Sequence, residues 1–152
     1  MSRPAFWSLA FEDMPQPDFA DVIVGTLPAT ATTDPREWAE YLFSPRGMPL
    51  WVRVAMGVRQ TLAPLIGVPR GSRDTFRVSR VEHGEALIAV DDTHLDFRAS
   101  VGVDVEHRLV RVVTAVRLKG VRGRLYFAPV RLAHPAVVQS MLARTRRALD
   151  AG

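Results

Sequence analysis

Residues 76–118 read FRVSRVEHGEALIAVDDTHLDFRASVGVDVEHRLVRVVTAVRL, and this stretch decides the fold. Apolar and polar residues alternate along it with the period of two that marks a half-buried strand. Thr75 to Val81 and Glu85 to Asp91 are expected as two strands joined at His83 and Gly84, a tight turn in which glycine supplies positive φ. The third strand, Leu95 to Val105, has the clearest pattern. Leu95, Phe97, Ala99, Val101, Val103 and Val105 point one way, and Asp96, Arg98, Ser100 and Asp104 the other. After a turn at Glu106 to Arg108, Leu109 to Leu118 carries Val110, Val112, Thr114, Val116 and Leu118 on one face. Connections this short require antiparallel pairing, because parallel neighbours need long crossovers.

On the N-terminal side, Met1 to Pro17 is punctuated by Pro4, Pro15 and Pro17 and reads as a loosely attached arm. Phe19 to Leu27 suits a first strand. Asp34 as N-cap, Pro35 at the first helical position and Glu37 as capping-box partner then open a short helix with Trp38, Tyr41 and Leu42 on one face. A second helix is expected from Pro49 to about Ala63, with Trp51, Val54, Ala55, Val58 and Leu62 at helical spacing. On the C-terminal side, Val121 to Leu149 reads as a long helix with Tyr126, Val130, Ala133, Val137 and Met141 on one stripe, flanked by His134, Val138, Leu142 and Leu149. Pro129 and Pro135 predict a kink or break near His134. The whole is an α+β domain: an antiparallel sheet, two short helices after the first strand, and a long terminal helix that docks on the apolar side of the sheet.

A chain of 152 residues suits a single core. No uncharged apolar run approaches the ~20 residues of a membrane span, and the N-terminus lacks the pattern of a signal peptide, so a cytoplasmic location is expected. The absence of cysteine excludes disulfides, thiol nucleophiles and thiolate metal sites. The net charge of +4 comes from 19 Arg and one Lys against 16 acidic residues, and Asn is absent, a skew that fits the codon bias of a GC-rich genome. Charge is uneven: Met1 to Pro45 carries two basic and seven acidic residues, Arg117 to Gly152 eight basic and one acidic. Arg144, Arg146 and Arg147 suit the negative end of a helix dipole. Stacking aromatics are not interleaved with the arginines, so no nucleic acid is expected as partner.

Two blocks, Asp91-Asp92-Thr93-His94-Leu95-Asp96-Phe97-Arg98 and Gly123-Arg124-Leu125-Tyr126-Phe127 ahead of His134, resemble the bacterial family called domain of unknown function 2867. The resemblance covers Asp18 to Leu149, nearly the whole chain. That family is similar to the helix-grip superfamily of lipid-transfer proteins, pollen allergens and polyketide aromatase/cyclases. The resemblance implies a curved antiparallel sheet gripping the C-terminal helix around an apolar cavity. It implies no catalytic residues.

Several residues are candidates for function. The row Asp92, His94, Asp96, Arg98 and Ser100 sets a carboxylate beside an imidazole, the minimal geometry for acid–base work. The plainer reading is that this row faces water and forms cross-strand pairs, with Asp91 and Asp92 capping a turn. His134 borders the helix stripe and could present a nitrogen to a pocket, or serve as a hydrogen-bonded core histidine. Arg124 suits an acidic headgroup or an exposed helix start. His94 and Asp96 would supply two ligands of a metal site but no third is visible, so no metal and no cofactor is expected.

The expected function is binding of a hydrophobic or amphipathic small molecule, lined by Phe97, Ala99, Val101, Val112, Thr114, Tyr126, Val130, His134, Val137 and Met141. One alternative is a cyclase- or dehydratase-like enzyme in which His94, Asp96 or His134 moves a proton. Another is an interaction domain with a filled core. Homo-oligomerisation is compatible with each.

Overall fold

The computed structural model describes residues 6–54 and 76–150. Five strands form one antiparallel sheet: β1 (Phe19–Thr26), β2 (Val78–Glu82), β3 (Glu85–Asp91), β4 (Leu95–Asp104) and β5 (Leu109–Leu118), in the order β1-β5-β4-β3-β2. Two short helices follow β1. The first, α1 (Pro35–Leu42), starts where its capping signals place it, with the Asp34 carboxylate accepting the Arg36 N–H at 2.9 Å. The second, α2, opens at residue 50, and the rest of the helix expected to Ala63 lies outside the described residues, as does Thr75, the expected start of the second strand. The chain closes with α3 (Gly120–Asp150), 31 residues long.

The strand boundaries follow the period-two pattern closely. His83 and Gly84 have φ of 54° and 74°, the left-handed pair that a two-residue type I′ hairpin requires, and they join β2 to β3. Register then fixes the faces. Asp21 lies opposite Thr114 and Thr114 opposite Ala99, so Phe19, Asp21 and Ile23 share one side with Val112, Thr114, Val116, Phe97, Ala99 and Val101. This inner side receives the helices. Trp38, Ala39 and Leu42 of α1 and Val138, Met141 and Leu142 of α3 join Ala86, Ile88, Ala99, Val101, Val110 and Val112 in the main core.

The middle of the outer side of the sheet does not face water as expected. Ser100, Glu85 and Arg98 are buried there, because residues 8–14 of the arm lie across them. Rather than hanging loosely, this segment makes a 3-10 turn at Leu9–Phe11, with the Ser8 side chain accepting the Ala10 N–H. Ala10 and Met14 bury against Val113 and Ala115 in a second, smaller core. The polar row is what holds the arm. Glu85 accepts hydrogen bonds from Ser8 Oγ (2.9 Å) and Leu9 N (2.8 Å) and pairs with Arg111, while Ser8 Oγ lies 2.6 Å from Ser100 Oγ. Arg98 donates to Asp13 (Nη2–Oδ2 2.9 Å) and Asp91 (Nη1–Oδ1 2.8 Å). Its guanidinium holds both carboxyls below the ordinary value of 3.8, with hydrogen bonding the larger cause.

The terminal helix also differs from expectation. It runs unbroken through Pro129 and Pro135. Pro129 is exposed, so the carbonyl freed one turn earlier by its missing N–H can be met by water. The buried stripe is Gly123, Phe127, Val138, Met141, Leu142 and Thr145, with Val130 and His134 half-buried along it. Ala133 is exposed, so the stripe is rotated relative to the expected one, and His134 lies on the sheet-facing side. Among the described residues, no helix is long and apolar enough to cross a membrane.

Candidate functional site

The inward set of β1 contains one charged residue, Asp21, placed across from buried Thr114 by the strand register. His134 of α3 comes down on it, Nδ1 standing 2.6 Å from Asp21 Oδ2, with the two side chains 14% and 15% exposed. The other carboxylate oxygen, Asp21 Oδ1, is buried and has no hydrogen-bond partner among the described residues. Phe19, two residues earlier on the same face, sets its ring edge-on to His134 (5.5 Å) and to Phe127 (5.2 Å). The Arg131 guanidinium lies over the Phe19 ring at 5.6 Å and donates to the Asp18 carbonyl at 3.1 Å.

Beside this cluster a cleft of about 320 Å³ opens between the sheet and the first turns of α3, lined by Asp18, Leu118, Arg124, Phe127, Ala128 and Arg131. Its volume is at the lower end of small-molecule sites. The Asp18 carboxylate accepts the Leu118 N–H at 2.7 Å. Arg124 makes no ion pair among the described residues. The cleft is therefore amphipathic, with Phe127 and Leu118 for apolar contact and two guanidiniums for an anion. A second, open depression of about 410 Å³ lies against the arm, lined by Trp7, His83, Glu85 and Arg111.

The close seating of α3 at this end depends on Gly123. A Cβ there would meet the backbone carbonyl oxygen of His94 far inside van der Waals contact. Alanine favours helix by up to about 1 kcal/mol, but the atom it would strike is a backbone oxygen at the entry to β4, already engaged by the Lys119 N–H at 2.8 Å. Gly123→Ala is therefore expected to destabilise the fold by about 1–3 kcal/mol, as overpacking does, and to lower the melting temperature. An unchanged or higher melting temperature would show that α3 does not sit this close.

The structure separates the candidates that the sequence grouped. Asp96 is paired with Lys119 Nζ at 2.7 Å, and the His94 carbonyl accepts the Lys119 N–H at 2.8 Å. Asp92 Oδ1 caps the turn at Thr93 N, 2.6 Å away. His94 stands just ahead of β4, five residues before Ala99, which is in line with Asp21 through Thr114, and so it lies roughly 16 Å from the level of His134 at about 3.3 Å per residue. The Asp91–Arg98 block thus shapes a turn and anchors the arm, and His94 and Asp96 do not join His134 in one acid–base set. Among the described residues no group of three or more His, Cys, Asp or Glu could hold a metal ion.

Of the expected lining, Ala99, Val101, Val112, Thr114 and Met141 are buried, and Phe97, Tyr126, Val130 and Val137 half-buried. Ala99, Val101, Val112 and Met141 belong to the main core, with Phe97 and Val137 packed against it. The cleft lies instead at the end of that core. Asp18, Asp21, Phe127 and Arg131 were not among the candidates, although a lone Asp in the apolar run of β1 is a signal visible in sequence.

A search of curated proteins and one of solved structures find no match to this chain. A family model, described as Protein of unknown function (DUF2867), matches residues 14–141, and the chain belongs to that family.

Proposed function

Starting from a DUF2867 domain whose α3 leaves a cleft beside the sheet, we propose that the protein binds a small amphipathic anion between β1, β5 and the first turns of α3. The observation that carries this reading is the cleft itself, about 320 Å³, with Arg124 and Arg131 beside Phe127 and Leu118. A carboxylate, sulfonate or phosphate would meet the guanidiniums, and an apolar body would lie along Phe127. Support also comes from the architecture, in which a long terminal helix crosses an antiparallel sheet in the manner of the helix-grip likeness.

The test uses two soluble probes, anilinonaphthalene sulfonate and a short-chain fatty acid, titrated into wild type and into Arg124→Glu. Charge reversal is expected to weaken both by about tenfold or more, the scale of a lost charge-assisted contact. Equal affinity in wild type and variant would reject the cleft as the site.

A second reading has a specific observation in its favour, the Asp21–His134 pair. A carboxylate on Nδ1 fixes the ring orientation and leaves Nε2 as the nitrogen available for proton transfer, so an acid–base enzyme of the cyclase or dehydratase type would draw on His134. Turnover of a bound substrate that persists in His134→Ala would dismiss it.

A further inference from the structure

We propose that the outward face of α3 is a docking surface for an anionic phospholipid bilayer, on which the helix lies parallel to the membrane plane. Three large aliphatic side chains stand free on this face: Val121 is 72% exposed, Leu125 68% and Leu132 84%. At about 100° per residue they fall within roughly 40° of one another, on the side opposite the buried stripe. Arg122 follows about 80° to one side, and Arg124 and Arg131 lie about 80–100° to the other. The apolar line is thus bordered by cations on both flanks.

No Asp or Glu occurs in α3 before Asp150. Among the described residues Arg122, Arg124 and Arg131 form no ion pair, and Arg131 donates to the Asp18 carbonyl and lies over the Phe19 ring. Uncompensated arginines beside exposed aliphatics are the arrangement that enters the headgroup region, with apolar side chains in the acyl boundary and guanidiniums at the phosphates.

Charge decides between occupants. A second copy docked through this face by two-fold symmetry would set arginines against arginines with no carboxylate on either helix to offset them before Asp150. A nucleic acid would satisfy the arginines but would leave Val121, Leu125 and Leu132 without purpose, and the face presents no aromatic ring for base stacking. The bilayer uses both features.

The inference goes beyond the cleft reading and meets it at one point. Arg124 and Arg131 line the cleft as well as the flank, so the mouth of the cleft would open toward the headgroups.

The experiment is co-sedimentation with vesicles of phosphatidylcholine alone and of phosphatidylcholine mixed equally with phosphatidylglycerol. Wild type is expected to partition at least about tenfold more strongly onto the anionic vesicles, and Leu125→Ser/Leu132→Ser to lose about tenfold of that partitioning. Both residues are exposed, so the double variant keeps its unfolding midpoint, which is measured alongside. Three results would overturn the proposal: no partitioning of wild type onto anionic vesicles, undiminished partitioning of the double variant, or a dimer in sedimentation equilibrium that the double substitution dissociates while vesicles bind neither protein. Oligonucleotide binding without vesicle binding counts against it equally. The soluble probes are titrated into the same double variant, where their affinity is expected to stay at the wild-type value. Loss of vesicle binding then leaves the cleft reading standing, and failure of the cleft reading leaves the vesicle result readable.

Discussion

Trp38→Ala is expected to remove about 3–5 kcal/mol of stability, the range for deleting a fully buried tryptophan. That is a large share of the 5–15 kcal/mol typical of a folded domain. Trp38 is wholly buried and joins α1 to the inner side of the sheet among Leu27, Leu42, Ala86 and Ile88. Its indole Nε1 donates to the Thr32 carbonyl at 2.7 Å, so truncation leaves a cavity and also strips that carbonyl of its donor. Trp38→Phe keeps much of the volume and loses the hydrogen bond, and should cost about half as much. Guanidinium unfolding of the two variants measures both. A loss below about 1 kcal/mol for the alanine variant would mean that α1 does not close the core.

The second large effect is expected at Glu85→Ala, about 3 kcal/mol, with release of the arm. Glu85 is 3% exposed at its side chain and is the shared acceptor for Ser8 Oγ, Leu9 N and Arg111. Removing it leaves a buried backbone N–H and a guanidinium without their acceptor, which costs more than the pair itself contributes. Arg111 is 31% exposed and can turn toward water, which sets the figure at the lower end of the range for buried pairs. Cleavage by a nonspecific protease between residues 7 and 14 reports the arm separately from global unfolding. A variant that keeps wild-type stability and a protected N-terminus would show that Glu85 does not anchor the segment.

The strands and the hairpin at His83 and Gly84 were legible because alternation and left-handed turn residues are local signals. The helix start at Asp34-Pro35 was legible for the same reason. The polar row Asp96, Arg98 and Ser100 was placed on the correct face of β4, but the burial of Arg98 and Ser100 was not foreseeable from the strand alone. It depends on Ser8 and Asp13, which lie 92 and 85 residues away in sequence. In β1 the run FADVIVGT offers two apolar sets, Phe19 with Ile23 and Ala20 with Val22 and Val24, and alternation alone does not choose between them. The structure turns Phe19, Asp21 and Ile23 inward, which brings Asp21 under His134. The rotation of α3 was hidden in a similar way. Tyr126, Ala133 and Val137 were expected at the centre of the stripe, yet Ala133 is exposed and the buried side turns toward the flank that carries His134, Val138 and Leu142. Residues with a stake in a site break the local rules, and periodicity then points to the wrong neighbours.

The clasp of the arm over the sheet sets an order of events in biosynthesis. Ser8 and Leu9 leave the ribosome well ahead of Ser100 and Arg111, which complete their berth and are made some ninety to a hundred residues later. Until then this segment has nowhere to dock. The same wait applies to β1, whose partner β5 lies about as far along the chain, so the sheet edge and the clasp over its second face close together once β5 is made.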